Sequence, residues 1–130
     1  RGLYNMKTIN TTTELTVQDI QNILEQAVDA AYRAADVYEQ DNFPNRRWGA
    51  CGFAWTNIYK HNGKDIKGNT KMGRALKAAG VTQDYTRTFQ LWNPSKYPTQ
   101  NVDTLLAGAR AATKVLEHYG FEAYAGSRLD

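Results

Sequence analysis

The sequence predicts an α+β domain, with three helices packed on a small, about three-stranded sheet in the order α-β-α-β-α-β. Apolar residues recur at three- and four-residue spacing in three separate stretches, which is the helical signature. Two aromatic-rich stretches and a short one near the end alternate instead, as half-buried strands do. Glycine, proline and asparagine fall between these stretches, where boundaries require them. A chain of 130 residues, 42% of them hydrophobic, suits one globular domain.

Residues 1–12 are polar and rich in threonine and asparagine, and are read as a flexible N-terminal segment, with Met6 as a natural start. Residues 13–130 then form the single domain. Thr16 followed by Asp19 is an acidic capping box that opens a helix over residues 16–40. Its stripe is Val17, Ile20, Leu24, Ala27, Val28, Ala31, Ala34, Ala35 and Tyr38. The alanines imply a partner that approaches closely. Because their small surface exceeds what one short helix needs, a second copy is an expected partner there, and a sheet edge offers another route to a homo-oligomer.

Residues 51–59 read as a buried strand, weakened at its start by Gly49 and Gly52. His61-Asn62-Gly63 is a turn. A second helix spans about residues 70–79, capped by Asn69 or Thr70 and closed by Gly80. Residues 86–92 alternate into a strand, with Phe53 and Phe89 expected inside and Trp48 and Trp92 at a pocket rim. Asn93-Pro94-Ser95 starts a rigid loop. Asn101 caps a third helix over residues 102–119, and residues 121–125 form the last strand.

Composition narrows the function. One cysteine, Cys51, excludes an internal disulfide, and with only His61 and His118 beside it no structural zinc site is expected. No run of about 20 apolar residues is present, so no membrane partner is expected. The net charge of +3 hides an asymmetry: residues 45–77 carry eight cations against Asp65 alone, a balance of +7, whereas residues 1–44 stand at −4. Such a middle third suits an anionic partner. A solvated basic face is the bland alternative.

Catalysis has little to rest on. Cys51, His61 and His118 are the weak candidates, since a thiolate nucleophile needs a base within reach. A lone cysteine between Ala50 and Gly52 is more often a small buried hydrophobe. Lys67-Gly68-Asn69-Thr70-Lys71 lacks the order and spacing of a phosphate loop. It still offers free amides at a helix start, with Lys67, Lys71 and Arg74 on one side of the wheel. The aromatics on the two central strands and their flanks, beside basic residues, are the chemistry of base stacking. Their bland use is core filling.

The strings WGACGFAW, KGNTKMGRALKAAG, FQLWNPS and AGSRLD, spread over most of residues 48–130, resemble small uncharacterised accessory proteins of tailed bacteriophages. The resemblance implies a phage accessory product acting in the host cytoplasm, where such proteins often block a host defence. It assigns no reaction and no catalytic residue.

The expected function is therefore binding of an anionic nucleotide-like ligand or nucleic acid through a basic and aromatic surface. The residues expected to bind are Arg46, Arg47, Trp48, Lys67, Asn69, Thr70, Lys71, Arg74 and Trp92, with no metal and no cofactor. A structural or protein-interaction role, as a virion component or host-protein inhibitor, is the first alternative. A small Cys/His enzyme is the second.

Overall fold

In the computed structural model, which describes residues 14–44 and 49–130, the first helix α1 spans Val17–Asn42. Residues 1–12 and the expected binding residues Arg46, Arg47 and Trp48 lie outside the described residues. The capping box is present: the Thr16 hydroxyl accepts from the Asp19 amide, and the Asp19 carboxylate accepts from the Thr16 amide. Ile20, Ile23, Ala27, Ala31 and Ala35 are buried along one stripe.

A short helix, α2, spans Lys71–Ala78 and a long one, α3, spans Val102–His118. Asn101 caps α3 by accepting from the Asp103 amide at 3.1 Å. The helices α1 and α3 pack through small residues. A Cβ added at Gly108 would fall 3.1 Å from the Ala31 carbonyl oxygen and 2.7 Å from Ser95 Cβ, so no larger residue fits. The alanine stripe of α1, expected to face a second copy, is instead consumed within the chain.

Five antiparallel strands form one sheet: β1 (Gly52–His61), β2 (Lys64–Asp65), β3 (Thr82–Gln83), β4 (Phe89–Trp92) and β5 (Phe121–Leu129). This exceeds the three strands expected, because β2 and β3 are two residues each, too short for alternation to signal. The first addition is a hairpin whose turn, Asn62-Gly63, has φ of 50° and 80°, the sign its Asn-Gly sequence favours. The strand expected over residues 86–92 is shortened to Phe89–Trp92. Asp84 Oδ1 accepts from the Thr86 and Thr88 amides and ties the preceding residues into a loop. The last strand is longer than expected, running on through Gly126 to Leu129.

Strand β1 is central. On one side β5 follows it from Gly52↔Leu129 to His61↔Phe121, with a bulge between Ile58 and Lys60. The other side is shared: β4 pairs with residues 55–58, and β2 pairs with residues 60–61.

The helices cover one face of the sheet. Ala54, Thr56, Ile58, Phe89 and Ala123 point into it and are fully buried, and the Thr56 hydroxyl donates to the Ala109 carbonyl at 3.0 Å. Phe89 is inside as expected, beside Leu76, Leu116 and Tyr119. Phe53 is not. It shares the parity of Trp55, and the close approach of the Gly108–Ala109 part of α3 leaves room only for the small side chains of the alternate positions. The rings are thereby turned to the outer face. Among the described residues, no helix is long and apolar enough to cross a membrane.

Candidate functional site

The shared margin of β1 creates a fork. Strand β4 ends its pairing at Ile58 and β2 begins at Lys60, leaving Tyr59 at the gap, where its carbonyl accepts from the Ile66 amide at 3.1 Å. Beyond that point, the chain leaving β2 and the loop between β3 and β4 diverge. A cleft of about 610 Å³ opens between them, lined by Ile66, Lys67, Gly68, Asn69, Lys77, Gln83, Thr86 and Arg87. Three cations face it, and no carboxylate lines it among the described residues. None of the three is ion-paired among the described residues.

Local chemistry fixes each wall. Gly68 lets Lys77 and Gln83 close over the backbone: a Cβ there would lie 2.9 Å from Lys77 Nζ and 3.4 Å from Gln83 Nε2. The Lys77 ammonium donates to the Gly68 carbonyl at 3.3 Å, and Gln83 Nε2 donates to the Arg87 carbonyl at 2.8 Å. Asp84 holds the opposite loop with bonds from the Thr86 amide, the Thr86 hydroxyl and the Thr88 amide, at 2.8, 2.6 and 3.0 Å. Those bonds, led by the Thr86 hydroxyl, hold the Asp84 carboxyl below its ordinary pKa and keep it ionised. They also hold Arg87 at φ 67°, a left-handed conformation that residues other than glycine adopt at a cost and that its loop imposes here.

Next to the cleft, and sharing Ile66 and Lys67 with it, is a shallow hollow of about 520 Å³ bordered by Tyr59, Lys60, Tyr124 and two carboxylates, Asp65 and Glu122. The rings of Tyr59 and Tyr124 pack at 5.8 Å, and both are exposed, at 40% and 57%. Lys60 is partly neutralised by Asp65 at 3.8 Å.

The hollow continues onto the outer face of the sheet. Trp55 and Trp92 stack there with centroids 5.6 Å apart, Phe53 packs on Trp92 at 5.7 Å, and the Arg128 guanidinium covers Phe53 at 4.9 Å. Between the tyrosines and the tryptophans, Gln90 Nε2 donates to Asn57 Oδ1 and Asn57 Nδ2 donates to the Tyr59 hydroxyl. None of these rings belongs to the buried clusters.

Of the expected binding residues, Lys67 and Asn69 line the cleft and Trp92 lies on the outer face. At the start of α2, Thr70 and Lys71 line a separate cleft of about 420 Å³ with Glu14, His61 and Asp65, and several of its polar groups bond within the chain. Thr70 accepts from the Gly73 amide and donates to the Lys67 carbonyl, and Lys71 pairs with Glu14 at 2.7 Å. Arg74 donates to the Asn69 carbonyl. The contributions of Arg87, Tyr124 and Arg128 were not foreseen. The parity of Phe53, Trp55 and Tyr59 was the one visible sign of the outer face.

The Cys/His constellation is not assembled. Cys51 is exposed beside the start of β1, bridged to Asn101, whereas His61 ends the same strand about 30 Å away by strand rise. His61 Nε2 bonds the Tyr119 carbonyl at 3.0 Å, and burial lowers its pKa despite that bond. His118 lies edge-on to Tyr119 at the end of α3. Among the described residues no His, Cys, Asp and Glu cluster could hold a metal ion. No family model matches the chain, and neither does any curated protein or solved structure.

Proposed function

We propose that this protein binds a nucleotide-like anion at the fork, with Lys67, Lys77 and Arg87 taking the phosphate and the Tyr59–Tyr124 shelf taking the planar ring. The observation that supports this most is the acid-free cleft opening directly beside two exposed tyrosines. Charge-assisted bonds from lysine and arginine suit phosphate oxygens, and stacking on an aromatic ring tolerates any base. The phage resemblance supports an accessory role in the host cytoplasm, where capturing such a ligand would counter a host defence.

A panel of nucleotides, nucleosides and inorganic phosphate in thermal-shift assays tests this reading. Nucleotides should raise the melting temperature in a saturable way. Lys67→Glu with Arg87→Glu should abolish that rise, whereas a nucleotide response surviving the double reversal would refute the site.

The exposed Trp92, Tyr59 and Tyr124 also favour the second reading, a phage protein whose outer face meets a host or virion protein. That role predicts no response to any nucleotide. We further propose that homo-oligomerisation uses the outer edge of β5. The Asp130 amide donates to the Cys51 carbonyl, so antiparallel alternation turns the Ser127 and Leu129 backbones away from β1. Ser127→Pro should then yield monomers by light scattering without unpairing β1 and β5.

A further inference from the structure

We infer, building on the binding reading above, that the ligand is a single-stranded nucleic acid that leaves the cleft and runs along the outer face of the sheet.

The face carries two stacking stations rather than one. Tyr59 and Tyr124 form the first, beside the fork. Trp55 and Trp92, with Phe53 behind them, form the second. Both Trp55 and Tyr59 project from β1 to the same face, four positions apart, which is about 13 Å along a strand. Tyr124 stands opposite Asn57, midway along this span, so the rings form a stepped track along which successive bases of one strand can stack.

The ground between the stations is polar and uncharged. Asn57 and Gln90 bond one another at 3.1 Å, and each amide retains capacity to donate or accept toward a base edge or a sugar. Cations stand at both ends: Lys67, Lys77 and Arg87 at the fork, and Arg128 at the tryptophan end. A free mononucleotide would leave the second station and Arg128 unused. A neutral peptide would leave three fork cations facing no counter-charge.

Tryptophan fluorescence titrations with thymidine monophosphate and with oligothymidylates of two to about eight residues test the inference. Affinity should rise at least about tenfold between the monophosphate and about four residues, then level off, and the rise should weaken steeply with salt. Trp92→Ala and, as a surface change that leaves the rings in place, Arg128→Glu should each flatten the dependence on length. Equal affinity for the monophosphate and the oligomers would overturn the inference while leaving the fork site standing. Binding of neither would overturn both. A fluorescence change produced only by concentrating the protein alone, with no effect of oligomer, would assign the face to a second copy and overturn it as well.

Discussion

Trp92 lies flat on Trp55, the two indole planes 3° from parallel, directly across the β1–β4 pairing. The opposite neighbour of Trp55 is Gly126 on β5, and a Cβ there would fall 2.7 Å from Trp55 Nε1. One indole is therefore seated on a glycine and the other on that indole. The second station is held by strand register alone, without help from any loop.

Parallel indoles at this distance should couple excitonically. Trp92→Ala is expected to remove the resulting couplet in the circular dichroism spectrum and to cost about 1–2 kcal/mol, since the ring is part-exposed and packs on two aromatic partners, Trp55 and Phe53. Chemical denaturation beside the spectrum checks both.

Arg87 offers a way to separate binding from folding. Its φ of 67° suits glycine better than arginine. In Arg87→Gly, relief of the left-handed penalty, about 1 kcal/mol, opposes a similar entropic cost in the unfolded chain. The melting temperature should stay within a few degrees while nucleotide binding is lost. Calorimetry of the variant and the unaltered protein reads the two effects independently.

At Gly73 the expectation is the reverse. A Cβ there would lie 1.9 Å from the Lys67 carbonyl oxygen, a backbone atom that cannot swing aside. Gly73→Ala should destabilise by about 2–3 kcal/mol and displace the segment that carries Lys67 into the cleft. A urea midpoint close to that of the unaltered protein would contradict this packing.

The pH dependence should carry a signature of His61. Its folded pKa is lowered by burial below the ordinary 6.5, so the fold prefers the neutral ring. The contribution is fully present above pH 6.5 and is lost as pH falls through the lower folded value. Melting temperature should therefore drop across that acidic window, and His61→Gln should flatten the drop. A parallel decline in the variant would assign the effect to another group.

The helices were legible because capping and periodicity are local. Thr16 with Asp19, Asn101 with Asp103 and Gly120 at φ 88° each state a boundary within a few residues. The sheet was only half legible. Strands β2 and β3 hold two residues apiece and exist because β1 and β4 are there to pair with them, which no local pattern records. Phe53 was misplaced because hydrophobicity alone ranks a phenyl ring above Ala54 and Thr56 for the core. The glycines and alanines of the facing helix, which reverse that order, lie more than 50 residues away in the chain. The fork was illegible for the same reason. Lys67 and Lys77 stood out as charge, but Arg87 joins them through the pairing of β4 with β1. Conversely, the cations at the start of α2 looked available in sequence and are engaged by Glu14 and Asn69.

The pairing of Gly52 with Leu129 joins segments separated by most of the domain. Strand β5 follows every other element, and Tyr124, Gly126 and Arg128 all reside on it. During synthesis the earlier hairpins can form as they emerge, yet the tyrosine shelf lacks one ring and Trp55 lacks its seat until β5 is made. The proposed site is thus complete only once β5 has been made. A polypeptide truncated before β5 would display the basic cleft residues without Tyr124, Gly126 and Arg128.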